Sequence, residues 1–406
     1  MIDFDEALAI VLAQAGTLGT RARSISRATV GILAEYVKAA HPLPPLTSSS
    51  MDGFALRSAD TAGAHAGKPV ILPVAETVYA GGPPSHPLKR GEACRIMTGA
   101  QIAQGADSVV MKERVSEVEE GIAITHVIPP GNNVRRKGEE YRTGAIVLRK
   151  GVLITPPVAG LIATAGHKHI RVYRRPRIGL IITGNEVRPP GAALKAGQIH
   201  DANSTALLSA LRMIGMETVT VARAADQASA MRESIQAALR SSDVVITVGG
   251  ISVGDRDFVR EAMSACGVQE RFWRIAMKPG KPNYFGTKGK RMVFGLPGNP
   301  VSALLSFHFL VRPALARMSG RDLPPPLVVQ ARLEADLSKR PGRLEFVRMR
   351  LSHDGKHDTA APVSLQESHM LSGVAEANAI YRFPKDASSM RRGRRVPVEI
   401  LDWGWS

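Results

Sequence analysis

The stretch that most constrains the fold is residues 244–259, VVITVGGISVGDRDFV. Its first five residues are apolar and mostly β-branched, and the run is too short for a helix, so it predicts a buried strand. The strand ends at Gly249 and Gly250, where the backbone can turn sharply and approach a ligand. Ser252 and the acidic pair Asp255 and Asp257 follow, at the predicted start of a helix. Phosphate and metal sites use these parts, although an ordinary glycine turn in an α/β domain has the same pattern.

Two other predicted strands end in the same manner. The strand 178–183 precedes Gly184, Asn185 and Glu186, and the strand 292–296 precedes Pro297, Gly298 and Asn299. Helices are predicted over 204–214 and 227–239, with a strand over 217–221 between them and a helix from Pro300 to about Met318 that Pro313 should kink. This alternation predicts a parallel, doubly wound sheet, in which ligands sit outside the carboxyl ends of the strands. We therefore expect the three turns to converge on one site.

The remaining segments predict further domains around this sheet. Apolar residues at helical spacing predict helices near residues 7–12 and 30–37, and another helix near 157–165. Glycine, proline and short β-branched strings over 55–145 predict a small all-β domain. The run at 174–177 marks a boundary, residues 323–326 form a linker, and residues 327–406 predict a second small β domain.

The composition excludes several classes of protein. The chain has 406 residues, with 53 Lys and Arg against 36 Asp and Glu, a net charge of +17 that favours anionic partners. No aromatic-rich motif accompanies the arginine clusters, so we expect solvated surface and no nucleic-acid partner. No apolar run is long enough to span a bilayer, and the N-terminus lacks a signal-peptide layout. Two distant cysteines, Cys94 and Cys266, suit a reducing cytoplasm.

Residues that carry chemistry are charged rather than nucleophilic. Two lysines, Lys278 and Lys281, lie three apart in a proline-restricted loop and could converge on one anion, although an exposed basic turn is the alternative. Glu186, Asp226 and Asp257 are hard oxygen donors suited to Mg²⁺. No nucleophile motif is present, and cleavage of a phosphate anhydride by a metal and lysines requires none. Residues of the earlier β domain can take part only if another domain or a second subunit closes over the cleft; they are Asp52, Thr98 and Arg135.

Together these motifs resemble the bacterial molybdopterin molybdenumtransferase family. They cover nearly the whole chain in the order of the family, and their joint occurrence is highly specific. The matching stretches are 50–55 (SMDGFA), 95–100 (RIMTGA), 105–107 (GAD), 133–139 (NVRRKGE), 183–186 (TGNE), 197–203 (GQIHDAN), 249–254 (GGISVG), 278–282 (KPGKP) and 296–302 (LPGNPVS).

The resemblance implies an α/β multidomain fold with four domains in an elongated dimer. Domain I is a mixed dimer scaffold of residues 1–45 and 146–176, and an inserted β domain II spans 46–145. A doubly wound, molybdopterin-binding α/β domain III covers 177–320, and a C-terminal β-barrel domain IV covers 327–406. The implied reaction inserts molybdate into adenylyl-molybdopterin with Mg²⁺-dependent release of AMP, in the cytoplasm. The resemblance also implies transient contact with the molybdopterin adenylyltransferase and with apo-molybdoenzymes. It implies no membrane partner.

By position, the resemblance assigns catalytic roles to Asp52, Thr98, Glu186, Asp226, Asp257, Lys278 and Lys281. It places the metal at Glu186, Asp257 and Glu140, and the pterin nucleotide at Gly184, Asn185, Gly249, Gly250, Ser252, Pro297, Gly298, Asn299, Arg135 and Ser368. Asp52, Thr98, Arg135 and Glu140 would come from the other subunit of the dimer. The sequence departs from the pattern of the family at Glu140, where aspartate is frequent, and at residues 47–50 (TSSS). A glutamate keeps the charge of an aspartate but changes its reach.

Three alternatives remain at this point. An adenylyltransferase acting one step earlier would need only the α/β domain, and the additional domains argue against it. A scaffold that lost its chemistry has no need of Glu186, Asp257 and both lysines. A basic nucleic-acid binder is favoured by net charge alone and would require duplex binding that depends steeply on salt.

Overall fold

The computed structural model describes residues 1–216, 219–250 and 258–404. The chain divides into two compact units. The large unit comprises Met1–Ala22, Val30–Ala34 and Arg171–Ser406, and the small unit comprises Arg23–Thr29 and Glu35–Ile170. No helix in the described part of the chain is long and apolar enough to cross a membrane.

A six-stranded sheet forms the centre of the large unit. In sheet order its strands are Val219–Ala224, Ile178–Thr183, Val244–Val248, Arg291–Leu296, Pro282–Lys288 and Gln269–Arg274. The first four are parallel to one another, as the sequence predicts. Pro282–Lys288 runs antiparallel to Arg291–Leu296, because a tight turn joins these two strands. The edge strand Gln269–Arg274 is antiparallel to Pro282–Lys288 and therefore has the direction of the first four.

Helices cover both faces of this sheet, as in a doubly wound fold. The helices Ala228–Ser241 and Phe258–Ala265 pack together on one face, and Ala202–Met213 packs with Pro300–Ser306. On the first face Ile181, Val245 and Val293 from three strands meet a row of buried apolar residues from the two helices. Each such side chain contributes roughly 1.5–3 kcal/mol when fully buried, so this cluster fixes the strand ends that carry the polar turns.

The predicted helix from Pro300 to Met318 is interrupted as expected near Pro313. The chain is α-helical over Pro300–Ser306, widens to a π-helix over Phe307–Val311, and is α-helical again over Arg312–Met318. Proline has no N–H to donate, and its ring crowds the carbonyl one turn earlier. The hydrogen-bond ladder therefore widens in the turn before the proline.

A closed five-stranded barrel occupies the C-terminal region. Its strands close in the order Leu344–His353, Asp358–Pro362, Val328–Leu333, Arg395–Ile400 and Ala379–Phe383, because the last pairs with the first. A sixth strand, Met277–Lys278, joins the start of Leu344–His353 in parallel. Side chains such as Met349, Tyr381 and Val398 fill the interior. The expected C-terminal barrel is confirmed.

The small unit is rich in short strands, as predicted for 55–145. Its four-stranded sheet has the order Val74–Val78, Ala93–Ile96, Gly53–Leu56 and Ser108–Met111, and a three-stranded sheet has the order Val70–Leu72, Gly121–Ile124 and Ser116–Val118. Two strand pairs complete it, Val37–Lys38 with Ile146–Leu148 and Ser48–Ser49 with Val134–Arg135. The predicted helix near 157–165 is Pro156–Thr164.

One predicted helix is wrong. The first N-terminal helix is present as Phe4–Gln14, but residues 30–37 are not helical. Val30 has a φ of +62°, which a helix does not accept, and Gly31 follows it. Leu33 instead forms an isolated bridge to Val172. Leu33 and Val37 are buried from non-helical backbone, whereas Val30 and Ala34 are only partly buried, so the apolar spacing does not reflect a helix face.

The remaining short elements complete the chain. They are the strands Thr20–Ser24, His169–Tyr173, Val187–Arg188, Ile199–His200, Leu337–Ser338 and Ser389–Met390, the helix Ser372–Glu376, and the 3₁₀ turns Ile25–Arg27, Ser58–Thr61 and Lys112–Arg114. The strand predicted over 217–221 is Val219–Ala224, and residues 217 and 218 lie outside the described range.

Candidate active site

A cleft of about 970 Å³ opens at the carboxyl edge of the parallel strands. It lies between Ile178–Thr183 and Val244–Val248, where the strand order reverses. After Ile178–Thr183 the chain forms Val219–Ala224 on one side of that strand and then Val244–Val248 on its opposite side. Such switch points are where open α/β sheets bind ligands. The cleft is lined by residues of all three predicted turns: Gly184, Glu186, Gly249, Gly250, Pro297, Gly298 and Asn299, together with Thr183, Asp201, Asn203, Asp226, Lys281 and His369.

The backbone itself forms the floor of the cleft. Gly249 has a φ of +87°, and a Cβ built on it would lie 2.7 Å from Oγ1 of Thr183. A Cβ built on Gly298 would lie 3.5 Å from the Cα of Gly249, so the two strand-end turns lie close together. Only a glycine at 249 allows this approach without strain. A ligand in the cleft consequently meets main-chain atoms from both turns.

Two of the predicted acids lie together on one side of the cleft. Glu186 and Asp226 both line it, and the N–H of Asn185 donates to Oδ2 of Asp226 at 3.1 Å. The N–H of Asp226 in turn donates to Oδ1 of Asn185 at 3.4 Å. This reciprocal pair fixes the turn after Ile178–Thr183 against the end of Val219–Ala224.

Part of the predicted site lies outside the described residues. Asp257 and Ser252 belong to the stretch 251–257, which the structure does not describe. Within residues 1–216, 219–250 and 258–404 no group of three or more His, Cys, Asp or Glu side chains is arranged to hold a metal ion. Of the acids predicted for the cleft, Glu186 and Asp226 line it. The metal set assigned from the resemblance, Glu186, Asp257 and Glu140, stays a prediction.

The two predicted lysines point to different partners. Lys281 lines the cleft, whereas Nζ of Lys278 lies 2.9 Å from Oε1 of Glu345 on the barrel. Lys278 belongs to the barrel sheet, because it pairs with Glu345. Lys281 immediately precedes Pro282, where the next strand of the α/β sheet begins. The structure thus differs from the expected convergence of both ammonium groups on one anion.

A buried amide that the sequence reasoning missed holds the lysine loop in place. Asn283 is 1% exposed, and its Nδ2 donates to Oγ of Ser306 at 2.9 Å and to the carbonyl of Gly280. These bonds tie the loop that carries Lys281 to the helix Pro300–Ser306. The available signal was an asparagine beside Tyr284 and Phe285 in an apolar strand pattern that follows the lysine motif. A buried amide at such a position is expected to donate hydrogen bonds.

A turn from the C-terminal region closes one side of the cleft. Nδ2 of Asn299 donates to Oγ of Ser368 at 2.8 Å, and the N–H of Val301 donates to the carbonyl of Ser368 at 3.2 Å. Asn299 occupies the predicted N-cap position with Pro300 after it, but its side chain makes no capping bond and binds Ser368 instead. His369, next in the chain, lines the cleft.

A separate group of predicted residues meets in the small unit. The backbone N–H and the hydroxyl of Thr98 both donate to Oδ1 of Asp52, at 2.7 and 2.8 Å. These bonds, the backbone one first, hold the pKa of the Asp52 carboxyl below its usual range, and Lys112 adds to the effect. Asp52 is fully exposed in this chain, so its carboxylate is ionised and accessible.

Arg135 and Glu140 lie on neighbouring segments of the same unit. Arg135 is in a strand that pairs with Ser48–Ser49, and the N–H of Ser49 donates to the carbonyl of Ala100. The loops of the motifs 50–55, 95–100 and 133–139 therefore meet around one edge. Glu140 is exposed, and its N–H donates to the carbonyl of Leu43 at 3.0 Å.

The formal charges in the described cleft favour a cation beside any anionic ligand. Glu186 and Asp226 each carry one negative charge, and Lys281 carries one positive charge. A third acid, Asp201, is paired with Arg223 at 3.0 Å. A phosphate would therefore meet net negative charge unless a cation accompanied it.

A mostly parallel sheet with a glycine-floored, acid-lined cleft at its switch point defines a class of α/β proteins that hold phosphorylated cofactors or nucleotides. Three family models match the chain. The MoeA N-terminal region (domain I and II) matches residues 2–166, a probable molybdopterin binding domain matches 179–317, and the MoeA C-terminal region (domain IV) matches 330–401.

Relatives of known name match nearly the full length. A molybdopterin molybdenumtransferase from Haemophilus influenzae is 33% identical over 93% of this chain and 92% of its own. Molybdopterin molybdenumtransferase 2 from Mycobacterium tuberculosis is 35% identical over 90% of this chain and 91% of its own. A solved molybdopterin biosynthesis MoeA protein from Pyrococcus horikoshii has a TM-score of 0.83 at 29% identity, covering 99% of this chain and 100% of that one.

The chain belongs to the molybdopterin molybdenumtransferase family, whose members are transferases of molybdenum cofactor biosynthesis. The resemblance seen in the sequence motifs is thereby confirmed. The expected four-domain boundaries and the assigned site residues stay predictions.

Proposed function

We propose that this protein inserts molybdate into adenylyl-molybdopterin and releases AMP in a Mg²⁺-dependent reaction. The observation that carries the proposal is the cleft at the sheet switch point, which combines close backbone turns, two acids and Lys281. Backbone N–H groups and a lysine suit a phosphate anhydride, and acids suit the metal that accompanies it. The family supports the cofactor and the class of reaction.

The residues present fit a magnesium ion. Glu186 and Asp226 offer carboxylate oxygens on one side of the cleft, and Asp257 would complete the set. Mg²⁺ binds proteins through one or two carboxylates plus phosphates of the substrate, so two acids suffice. When bound, the ion would neutralise phosphate charge. This agrees with the excess negative charge of the described cleft.

The side chains of this protein then have distinct tasks. Lys281 would bind the phosphate groups and stabilise the charge that develops on the departing AMP. Asn299, held by Ser368, would orient the nucleotide, and the glycine turns would let it approach the backbone. The role proposed for Lys278 is indirect, since its ammonium group is engaged by Glu345.

Molybdate would be bound by residues of the small unit from a second subunit. Asp52, Thr98, Arg135 and Glu140 lie on one unit of the chain, and we propose that the homodimer brings this edge to the cleft of its partner. Arg135 would attract the oxyanion. The Asp52 carboxylate, fixed by Thr98, is itself anionic and would repel molybdate, so the role proposed for it is contact with a metal ion.

The setting we propose is the cytoplasm, with transient transfer from the adenylyltransferase and onward to apo-molybdoenzymes. Cys94 and Cys266 are both free and buried, and burial raises the pKa of the Cys94 thiol to about 11. Neither thiol is poised for oxidation, which is compatible with a reducing compartment.

The proposal is tested by AMP release from adenylyl-molybdopterin with Mg²⁺, with and without molybdate. Molybdate-dependent release whose product activates a cofactor-free molybdoenzyme is expected. Glu186→Gln and Asp226→Asn should each lower kcat/KM by roughly 10²-fold or more, because each removes a charge from the metal site. Glu233→Gln, an exposed acid on Ala228–Ser241, is the matched control and should behave as wild type.

Three results would contradict the proposal. Tight binding of adenylyl-molybdopterin without release would favour a scaffold, and synthesis of adenylyl-molybdopterin from ATP would favour the adenylyltransferase. A monomer by analytical ultracentrifugation that is fully active would exclude the proposed contribution of a second subunit.

A further inference from the structure

One acid in the cleft has no place in the proposed chemistry. Asp201 lines the cleft, yet its side chain is fully buried. Its Oδ1 accepts from the N–H of Ser204 at 2.9 Å, and Oδ2 accepts from the Ser204 hydroxyl at 2.6 Å and from Nη2 of Arg223 at 3.0 Å. Both oxygens are committed to these donors, so Asp201 serves as an anchor and not as a metal ligand.

Asp201 joins three pieces of the large unit. It is the N-cap of Ala202–Met213, and its own N–H donates to the carbonyl of Arg188 at 2.8 Å. Arg223 comes from the strand Val219–Ala224. The start of the helix is therefore fixed relative to the sheet edge and to the turn that carries Glu186.

The anchored helix start presents Asn203 to the opposite wall of the cleft. Nδ2 of Asn203 donates to the carbonyl of Gly298 at 2.7 Å. Gly298 lies beside Gly249, since a Cβ built on Gly298 would be 3.5 Å from the Cα of Gly249. Asn203 thus holds the turn 297–299 at the start of the helix Ala202–Met213. The same turn carries Asn299, which is hydrogen-bonded to Ser368.

We propose that Asp201 and Asn203 form a clamp that sets the width of the nucleotide-binding cleft. The inference rests on the proposed function for its substrate, but the clamp itself is defined by hydrogen bonds of this chain. Asn203 is a positioning residue: it acts through Gly298 on the groups that touch the ligand. Its loss should weaken ground-state and transition-state binding equally, because the cleft widens before any chemistry begins.

Asn203→Ala tests the clamp, with adenylyl-molybdopterin turnover and AMP binding by calorimetry as readouts. One net hydrogen bond corresponds to about 1 kcal/mol, so KM and the Kd for AMP should rise roughly fivefold with kcat within twofold of wild type. Asn203→Asp keeps the shape of the side chain but places a carboxylate against the carbonyl of Gly298, so KM and the Kd for AMP should rise further than in Asn203→Ala. Asn378→Ala is the control, because Nδ2 of Asn378 also donates to a backbone carbonyl, Leu351 at 2.9 Å, in the barrel.

A double-mutant cycle connects the two members. Asp201→Asn alone should also raise KM. In the double variant with Asn203→Ala, the fold-increase in KM should be smaller than the product of the two single fold-increases. Hydrogen exchange of the peptide covering residues 296–303 should accelerate in each variant, and that measurement needs no substrate.

The outcomes separate the clamp from the proposed function. Unchanged KM, AMP affinity and exchange in Asn203→Ala would overturn the clamp while leaving AMP release in the wild type intact. A loss of kcat with unchanged KM would also overturn it, since Asn203 would then act in the chemical step. If the wild type releases no AMP, the proposed function fails, and faster exchange in the variants would still support the clamp.

Discussion

Replacing Gly249 with alanine measures how far the cleft depends on close contact of the backbone turns. The residue has a φ of +87°, and its new Cβ would lie 2.7 Å from Oγ1 and 3.1 Å from the carbonyl oxygen of Thr183. A left-handed alanine costs about 1–2 kcal/mol, and overpacking typically adds about 1–3 kcal/mol. The smaller entropy of the unfolded chain offsets about 0.4–1 kcal/mol of this, which leaves a destabilisation of roughly 1–4.5 kcal/mol.

A matched control isolates the contact from the backbone conformation. Gly289 has a φ of +57° in the turn before Arg291–Leu296, and nothing lies within 4 Å of a Cβ built on it. Gly289→Ala carries the same conformational cost without the crowding, so we expect a destabilisation of about 1 kcal/mol or less.

Urea unfolding followed by the fluorescence of Trp273, which packs against the sheet core, is the assay. Trp403 and Trp405 are replaced by phenylalanine so that the signal reports on this sheet. At an m-value of about 2 kcal/mol per molar urea, Gly249→Ala should lower the midpoint by roughly 0.5–2 M. If the two glycine variants agree within about 0.5 kcal/mol, the close approach at Gly249 is not real and the reasoning fails.

Two further predictions concern titrating groups. Thr98→Val should raise the pKa of Asp52 part of the way toward its ordinary range, because the hydroxyl donor is lost while the backbone N–H still donates; carboxyl-carbon NMR would show this, and an unchanged pKa would contradict the contribution assigned to the hydroxyl. Burial lowers the pKa of His308 to about 3, with Arg312 adding to the effect. As the pH is lowered, the imidazole therefore binds a proton in the unfolded state before it does so in the folded state. The free energy of unfolding should decrease as the pH falls from 6 to 4, by up to about 1.4 kcal/mol per pH unit from this group. His308→Phe should flatten that part of the curve in denaturation at several pH values, whereas an unaltered slope would show that other groups dominate.

The sequence predicts elements well where a buried pattern and a terminating residue agree. Ala202–Met213 falls within two residues of expectation because Leu207, Leu211 and the following Gly215 all point to one helix. The segment 30–37 has similar apolar spacing, but its partner is Val172, more than a hundred residues away. Pattern alone contains no information on that pairing.

In the site, too, the sequence predicts features that depend on neighbouring residues and does not predict features that depend on residues far away in the chain. The three glycine turns could be predicted to share a sheet edge, because the carboxyl ends of parallel strands share one. The separation of Lys278 from Lys281 could not, because it depends on Glu345 in a barrel strand much later in the chain. Asp201 was within reach, since an aspartate three residues before Ser204 is an N-cap pattern.

The strand Met277–Lys278 makes the barrel inseparable from the sheet. The chain leaves the sheet after Gln269–Arg274, adds two residues to the barrel beside Leu344, and returns to the sheet at Pro282. Cutting the proline-rich linker at 323–326 should therefore yield two fragments that co-purify. A fragment containing residues 327–404 alone would leave one edge at the start of Leu344–His353 without the strand that pairs with it, and such an edge is prone to intermolecular pairing. Moving residues 327–404 alone into another protein would leave behind Met277–Lys278, a barrel strand that lies between two strands of the α/β sheet.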